Sequence, residues 1–163
     1  MKRPDIIPNK IFTLEKLLRQ VHSWRATGGT VSFTNGVFDI LHQGHIVSLS
    51  DAAKEADYLI VGVNSDASVK RLKGPERPVN NEESRALLLA AMVMVDAVIV
   101  FDEDTPLTLI TTLLPDVIVK GGDYTLEQIV GAKEVMGNGG RVVINPILEG
   151  FSTTGIIEQM RKK

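Results

Sequence analysis

Thr34-Asn35-Gly36-Val37-Phe38-Asp39-Ile40-Leu41-His42-Gln43-Gly44-His45 is the stretch on which the reading of this chain turns. The run Val31 to Phe33 leads into it as a strand, and a helix-like pattern from Ile46 to Ala56 leads out. It therefore reads as the turn from a first strand into a first helix. Such a turn gathers unpaired backbone N–H groups at a helix N-terminus, which favours an anion. Two histidines three residues apart, with a glycine between them, stand at that point.

Outward from this turn, apolar runs and helical patterns alternate. Tyr58 to Val63 is a continuous apolar run, the pattern of a strand buried on both faces of a parallel sheet. Ala97 to Phe101, Asp116 to Lys120 and Arg141 to Asn145 read as three further strands. Between them lie predicted helices from Glu82 to Val95, from Thr105-Pro106 to Pro115, and from Leu126 to Met136, with a last one opening at Ser152. Thr105 is the expected cap of its helix, with Pro106 in the first helical position. Residues 64–80 form a polar segment too long for a simple connection, and such loops are often functional. Before the motif, residues 1–12 read as an extended arm. Leu14, Leu17, Leu18, Val21 and Trp24 then mark a helix capped by Thr13 and stopped by Gly28-Gly29. His22 and Trp24 are expected to pack on that helix or face away from it. The division is an arm and helix over 1–29 and the main domain over 30–163, together one compact unit. The expected fold is a single Rossmann-like α/β domain, an open five-stranded parallel sheet with helices on both faces.

The 163 residues suffice for one such core, and 44% hydrophobic with 23% charged residues is an ordinary globular composition. A net charge of −2 argues against nucleic acid or an anionic membrane as the partner. No cysteine is present, which removes disulfides, zinc–thiolate sites and thiol nucleophiles. Neither a membrane span nor a secretory signal is legible, so the expected location is the cytoplasm.

Ligands of open parallel sheets bind beyond the strand C-terminal ends, where strand order reverses. The motif turn, Asn64-Ser65-Asp66, Gly121 to Tyr124 and the approach to Ser152 all follow strands, so they are expected to converge. His42 and His45 can each donate hydrogen bonds to phosphate oxygens, and Gly44 between them admits backbone to close approach. Lys70, Lys73, Arg77 and Arg85 are either a solvated basic face or phosphate ligands, and their place after a strand end favours the second reading for Lys73 and Arg85. Arg71 reads as structural or solvated. Ser152, Thr153 and Thr154 can cap a helix and hold a phosphate at the same time. Asp66 and Asp123 fit a ribose, a sugar hydroxyl, Mg²⁺ or plain Asx-turns, and Asp39 either caps the helix or orients a histidine. Other chemistries lack their signatures: there is no GxGxxG after the first strand, no GxxxxGK[ST] and no GxSxG elbow.

TNGVFDILHQGH resembles the HxGH signature of the cytidylyltransferase-like nucleotidyltransferases, and GFSTTGII resembles their closing hydroxyl-rich motif. VGVNSDASVKRLKG, RPVN, FDEDTP, PDVIVKGGDY and KEV followed by NGG are similar to the heptose 1-phosphate adenylyltransferase branch. The resemblance spans about residues 31–160. It implies transfer of AMP from ATP to D-glycero-β-D-manno-heptose 1-phosphate, with Mg²⁺ carried mainly on the substrate phosphates and no dedicated protein ligands for it. In many bacteria this domain follows a sugar kinase. At the present length a stand-alone transferase is expected, with a homodimer as the family's usual state. His42 and His45 match the catalytic pair, Lys73 and Arg85 match catalytic basic positions, and Ser152 to Thr154 match the nucleotide-phosphate motif. Thr34, Asn35, Gly36, Phe38, Gly44, Gly121 and Asp123 are the further nucleotide-binding candidates. Asp39, Asn64, Asp66, Lys70, Arg77 and Lys120 are the candidates for binding the sugar phosphate. Similar glycerol-3-phosphate cytidylyltransferases carry an arginine where this chain has Ile147, a departure that disfavours that alternative.

Overall fold

The structure, a computed structural model, describes residues 4–146 and 153–161. Five parallel strands form its sheet: β1 (Val31–Gly36), β2 (Tyr58–Asn64), β3 (Ala97–Phe101), β4 (Val117–Gly121) and β5 (Arg141–Asn145), in the order β3-β2-β1-β4-β5. The chain moves outward from β1 to β3 and then returns to the other side of β1. The strand order therefore reverses between β1 and β4, and a crevice opens beyond their C-terminal ends.

Because side chains alternate along a strand, each apolar strand feeds two cores. Ile60 of β2 packs with Phe33, Ile99 and Ile118 under α1 (Leu14–Ala26), α5 (Leu107–Leu113) and α6 (Ala132–Gly137). Leu59, Val61 and Val63 face the opposite way, towards α2 (Gln43–Ala53) and α4 (Glu82–Ala90), where Leu49, Ala52, Ala86 and Leu89 cover them. The fully buried apolar side chains in these layers each contribute roughly 1.5–3 kcal/mol over exposure. The α/β layout expected from the alternating pattern is thus present, helices on both faces included.

Several local expectations change. The segment 64–80 is not one loop: α3 (Asp66–Lys73) occupies half of it, capped by the Ser65 hydroxyl, which accepts from Ser68 N–H at 3.0 Å. α4 stops at Ala90 instead of running to Val95. α5 starts at Leu107 with Pro106 in the capping position, so Thr105 is not its cap. The helix expected over 126–136 divides into a 3₁₀ turn, Leu126–Gln128, and α6, with Gly131 between them at φ 82°. A left-handed residue cannot continue a helix, and here the missing Cβ also makes room for Ile110, whose Cγ2 would lie 2.6 Å from it. The last helix, α7, is Thr153–Arg161.

The N-terminal arm is also attached. It forms two 3₁₀ turns, Pro4–Ile6 and Pro8–Lys10, and Phe12 N–H donates to the Val98 carbonyl at 2.9 Å. The Lys10 ammonium donates to the Val95 carbonyl at 2.7 Å. Leu17 and Val21 of α1 lie in the same core as β1. Trp24 stacks on Tyr58, ring centres 4.3 Å apart and 7° from coplanar, at the end of the sheet opposite the crevice. Among the described residues, no helix is long and apolar enough to cross a membrane.

Candidate active site

β1 runs three residues further than its apolar run, so Thr34, Asn35 and Gly36 belong to the strand. The chain then turns through Phe38, a non-glycine residue at φ 50°. The left-handed region costs an ordinary residue energy and persists where the surroundings enforce it. Here the Phe38 ring is buried, lies over Gly36 and tilts against His45 with ring centres 5.4 Å apart. A Cβ on Gly36 would come within 3.1 Å of that ring, which gives this glycine a packing role.

α2 begins with His42 as its cap and His45 in its first turn, their rings 3.9 Å apart. The His42 backbone N–H donates to His45 Nδ1 at 3.3 Å. A nitrogen that accepts carries no proton, so the remaining proton of neutral His45 sits on Nε2 as a donor. Burial, with a smaller contribution from His42, pushes the His45 pKa down to about 4; burial also lowers that of His42. Near neutral pH this is a pair of neutral imidazoles, an outcome the motif alone does not reveal. His45 therefore offers a hydrogen-bond donor and not a full positive charge.

The turn borders a cavity of about 410 Å³ in the crevice. Of the residues expected there, Thr34, Asn35, Gly36, Phe38, His42, Gly44, His45, Lys120, Gly121 and Thr153 line it. Thr153 Oγ1 also donates to the Ile40 carbonyl at 3.1 Å, tying α7 to the histidine turn. The Lys120 ammonium, partly buried, donates to Asn35 Oδ1 at 2.9 Å, and burial lowers its pKa. Tyr124, the end of the strand-end turn expected to converge here, lines it too, as do Ser48 and Pro146, which carry no earlier expectation. Ser48 was within reach of sequence reasoning, since it continues the three-residue spacing of His42 and His45 along α2. Pro146 had no such signal.

Other expected residues stand elsewhere. Lys73, Arg77 and Thr154 line an adjoining groove, so the first two residues of α7 face the cavity and the groove in turn. Lys70 lines a separate recess with Asp66. Asp123 is exposed and is not among the residues around the main cavity. Ser152 lies outside the described residues, as do Ile147 and Phe151.

Arg85 is placed differently from its expected role. Its side chain has no exposure, and it donates to Val37 O at 2.7 Å, to Asn80 O at 3.0 Å and to Asp66 Oδ1 at 2.8 Å. A guanidinium with these partners joins the histidine turn to α3 and α4 and does not face the cavity. Asp66 accepts from Arg85 while bordering the recess it shares with Lys70, and buried Asn64 donates to Ser68 Oγ at 3.0 Å; neither lines the main cavity.

The cap of α2 is His42, and Asp39 is turned to the segment 77–80. Its buried carboxylate accepts from Arg77 Nε at 2.7 Å and from the backbone N–H groups of Val79 and Asn80, each at 2.9 Å. Burial alone would raise its pKa, but the Asn80 and Val79 hydrogen bonds and the Arg77 guanidinium hold it below the usual carboxylate value. Asp39 thus fastens the segment 77–80 to the histidine turn, and Arg77 is spent on that contact. Among the described residues no group of three or more His, Cys, Asp or Glu side chains could hold a metal ion.

Comparison with known proteins agrees with this arrangement. The bifunctional protein HldE of Mesorhizobium japonicum is 52% identical over 158 residues, covering 97% of this chain and 32% of that protein. HldE of Hyphomonas neptunium is 56% identical over 147 residues, 90% of this chain and 30% of that one. The chain thus spans about a third of the length of these relatives. Among solved structures, a lipopolysaccharide core biosynthesis protein from Thermoplasma volcanium superposes with a TM-score of 0.59 at 32% identity, covering 74% of this chain and 98% of that one. A pantoate–β-alanine ligase from Francisella tularensis shares the fold, with a TM-score of 0.53 at 15% identity over 88% of this chain and 75% of that one. Residues 33–159 match the cytidylyltransferase-like family, and the chain belongs to it.

Proposed function

We propose that this chain transfers the adenylyl group of ATP to D-glycero-β-D-manno-heptose 1-phosphate, releasing pyrophosphate and forming ADP-heptose for lipopolysaccharide core synthesis. The observation that carries the transfer chemistry is the neutral histidine pair at the start of α2, set in a cavity whose far wall holds the Lys120 ammonium. The sugar is supported by the resemblance of the NSDAS and KGGDY stretches to the heptose branch. The similarity to HldE and to a lipopolysaccharide core biosynthesis protein points the same way.

In this mechanism a phosphate oxygen of the sugar 1-phosphate attacks the α-phosphorus of ATP in line. The bond from that phosphorus to the α,β-bridging oxygen breaks, and pyrophosphate leaves with the electron pair. No protein nucleophile is needed. His45 donates through Nε2–H to charge growing on the α-phosphoryl or bridging oxygen, and the free N–H groups at the start of α2 add to this. Lys73 and Thr154, in the adjoining groove, hold the outgoing phosphates. Arg85 and Asp39 act at one remove by fixing the turn that aims the histidines. Mg²⁺ fits as an ion brought in on the phosphates, since Asp39, the buried carboxylate of this turn, is already committed to Arg77. When bound it would neutralise phosphate charge.

The test is a pyrophosphate-release screen that crosses ATP, CTP, GTP and UTP with a panel of sugar and polyol phosphates. Turnover with ATP and the heptose 1-phosphate is the expected result. Preference for CTP with glycerol 3-phosphate would overturn it.

A further inference from the structure

A second, smaller cavity lies against the first. It measures about 190 Å³ and is bordered by Pro106, Ile118, Tyr124, Gln128, Ile129 and Val130, and it shares Asn35, Lys120 and Tyr124 with the larger one. Drug-sized ligands occupy pockets of roughly 300–1,000 Å³. The larger cavity falls in that range, and the smaller one suits a single sugar ring. Its walls have the corresponding character. Tyr124 and Pro106 offer apolar faces, while the Gln128 carboxamide oxygen accepts from Thr125 N–H at 2.9 Å, which fixes an amide whose nitrogen carries two donors.

Lys120 stands on the boundary between the two spaces. Its ammonium donates to the side-chain and backbone oxygens of Asn35, at 2.9 and 3.4 Å. Among the described residues no carboxylate forms an ion pair with it, and burial is the sole influence on its pKa. A partly buried ammonium without a counter-ion is costly to keep, and an arriving phosphate dianion would supply the missing charge. Two other cations near this edge are already matched, Arg77 with Asp39 and Arg85 with Asp66, and Lys73 lines the adjoining groove and not this mouth.

We propose that the smaller cavity is the acceptor pocket, and that Lys120 anchors the acceptor's phosphate at the mouth between the two spaces. The sugar ring then rests between Tyr124 and Pro106. Its phosphate sits on Lys120 Nζ with one oxygen turned towards the larger cavity, where the nucleotide's α-phosphorus is attacked and pyrophosphate is expelled. This rests on the transfer reactivity proposed above, and it narrows the expectation that Lys120 binds the sugar phosphate to one pocket and one atom.

The decisive measurement is the pair of Michaelis constants in the Lys120→Met variant, with ATP and heptose 1-phosphate varied in turn. Loss of one charged donor to a phosphate corresponds to about a 10- to 150-fold change. The expected result is a rise of that size in the acceptor KM, with the ATP KM within about threefold of wild type on the same scale. Lys120→Arg, which restores the charge, should recover part of the loss. Val130→Trp narrows the smaller cavity from a partly exposed position and should raise the acceptor KM alone, which keeps the proposal testable if the Lys120→Met protein does not fold. An unchanged acceptor KM in both variants, or an ATP KM that rises as much as the acceptor KM, overturns the pocket assignment while leaving adenylyl transfer intact. Wild-type protein that releases no pyrophosphate with ATP and any phosphate-bearing acceptor would overturn both.

Discussion

Arg77 and Arg85 on one side of the sheet edge and Lys120 on the other are held in opposite ways. Beyond β2, Arg77 is paired with Asp39 and Arg85 with Asp66, and Arg85 also donates to two backbone carbonyls; both are internal struts. Beyond β1 and β4, the Lys120 ammonium borders the cavity beside the neutral histidine pair, and among the described residues no carboxylate forms an ion pair with it. Basic residues around one sheet edge can therefore differ completely in function. What separates them is whether the protein itself supplies the negative charge. Where it does, the cation sets shape; where it does not, the site is short of an anion, and a substrate phosphate fits the deficit.

This contrast can be broken first at Arg85. Replacing it with leucine leaves the Val37 and Asn80 carbonyls and the Asp66 carboxylate without their donor. Losing one partner of a buried pair costs about 3–5 kcal/mol. Thermal or urea unfolding should show a loss of that order. A variant as stable as wild type but with weakened ATP binding would return Arg85 to the phosphate-binding group. The matching test on the other side is His45→Ala. Removing one donor to a transition state costs about 3–4 kcal/mol, or ~10²–10³ in kcat, with the melting temperature nearly unchanged. Near-full turnover in that variant would sink the catalytic assignment.

Asp39→Asn is expected to fall between shape and activity. It keeps the side chain's size but gives up charge-assisted bonds, for a stability loss of about 2–3 kcal/mol. Because segment 77–80 borders the Lys73 groove, the KM for ATP should rise more than kcat falls, and steady-state kinetics would separate the two. The smallest effect is that of pH. The folded-state pKa of His45, about 4, lies below its ordinary 6.5. Between those values the unfolded chain binds more protons, so stability declines as pH falls through that window. Asp39, whose pKa is also lowered, adds a further loss below the ordinary carboxylate value. Unfolding free energies across pH 7 to 4 should drop by roughly 1–2 kcal/mol after allowance for solvent screening. The decline should be shallower in His45→Ala.

Much of the fold was legible because its signals are local. Tyr58 to Val63 reads as a strand by itself, and Thr13 and Gly28-Gly29 bracket α1. α3 escaped because Asp66 to Lys73 is short and polar, with few apolar positions to set a helical period. The histidine turn was legible as chemistry, since residue type, spacing and glycine coincide there. The partners of Asp39 and Arg85 were not. Asp39 meets residues 38 to 41 positions away, and Arg85 reaches Val37 across 48. Lone charges in one sequence do not announce which of them are paired in space. His45 shows the same limit: its neutrality arises from burial and from a contact with its neighbour's backbone.

Trp24 gives the molecule a built-in optical reporter. It is the protein's one tryptophan, and it stacks on Tyr58, the first residue of β2. The seven residues of that strand carry the chain about 20 Å, at roughly 3.3 Å each, before it reaches the edge where the cavity lies. Indole emission will therefore follow loss of the sheet and α1 while staying almost silent to nucleotide. A tryptophan introduced at Val130 would add a second emitter beside the smaller cavity. The two signals would then report folding and acceptor occupancy separately in one sample.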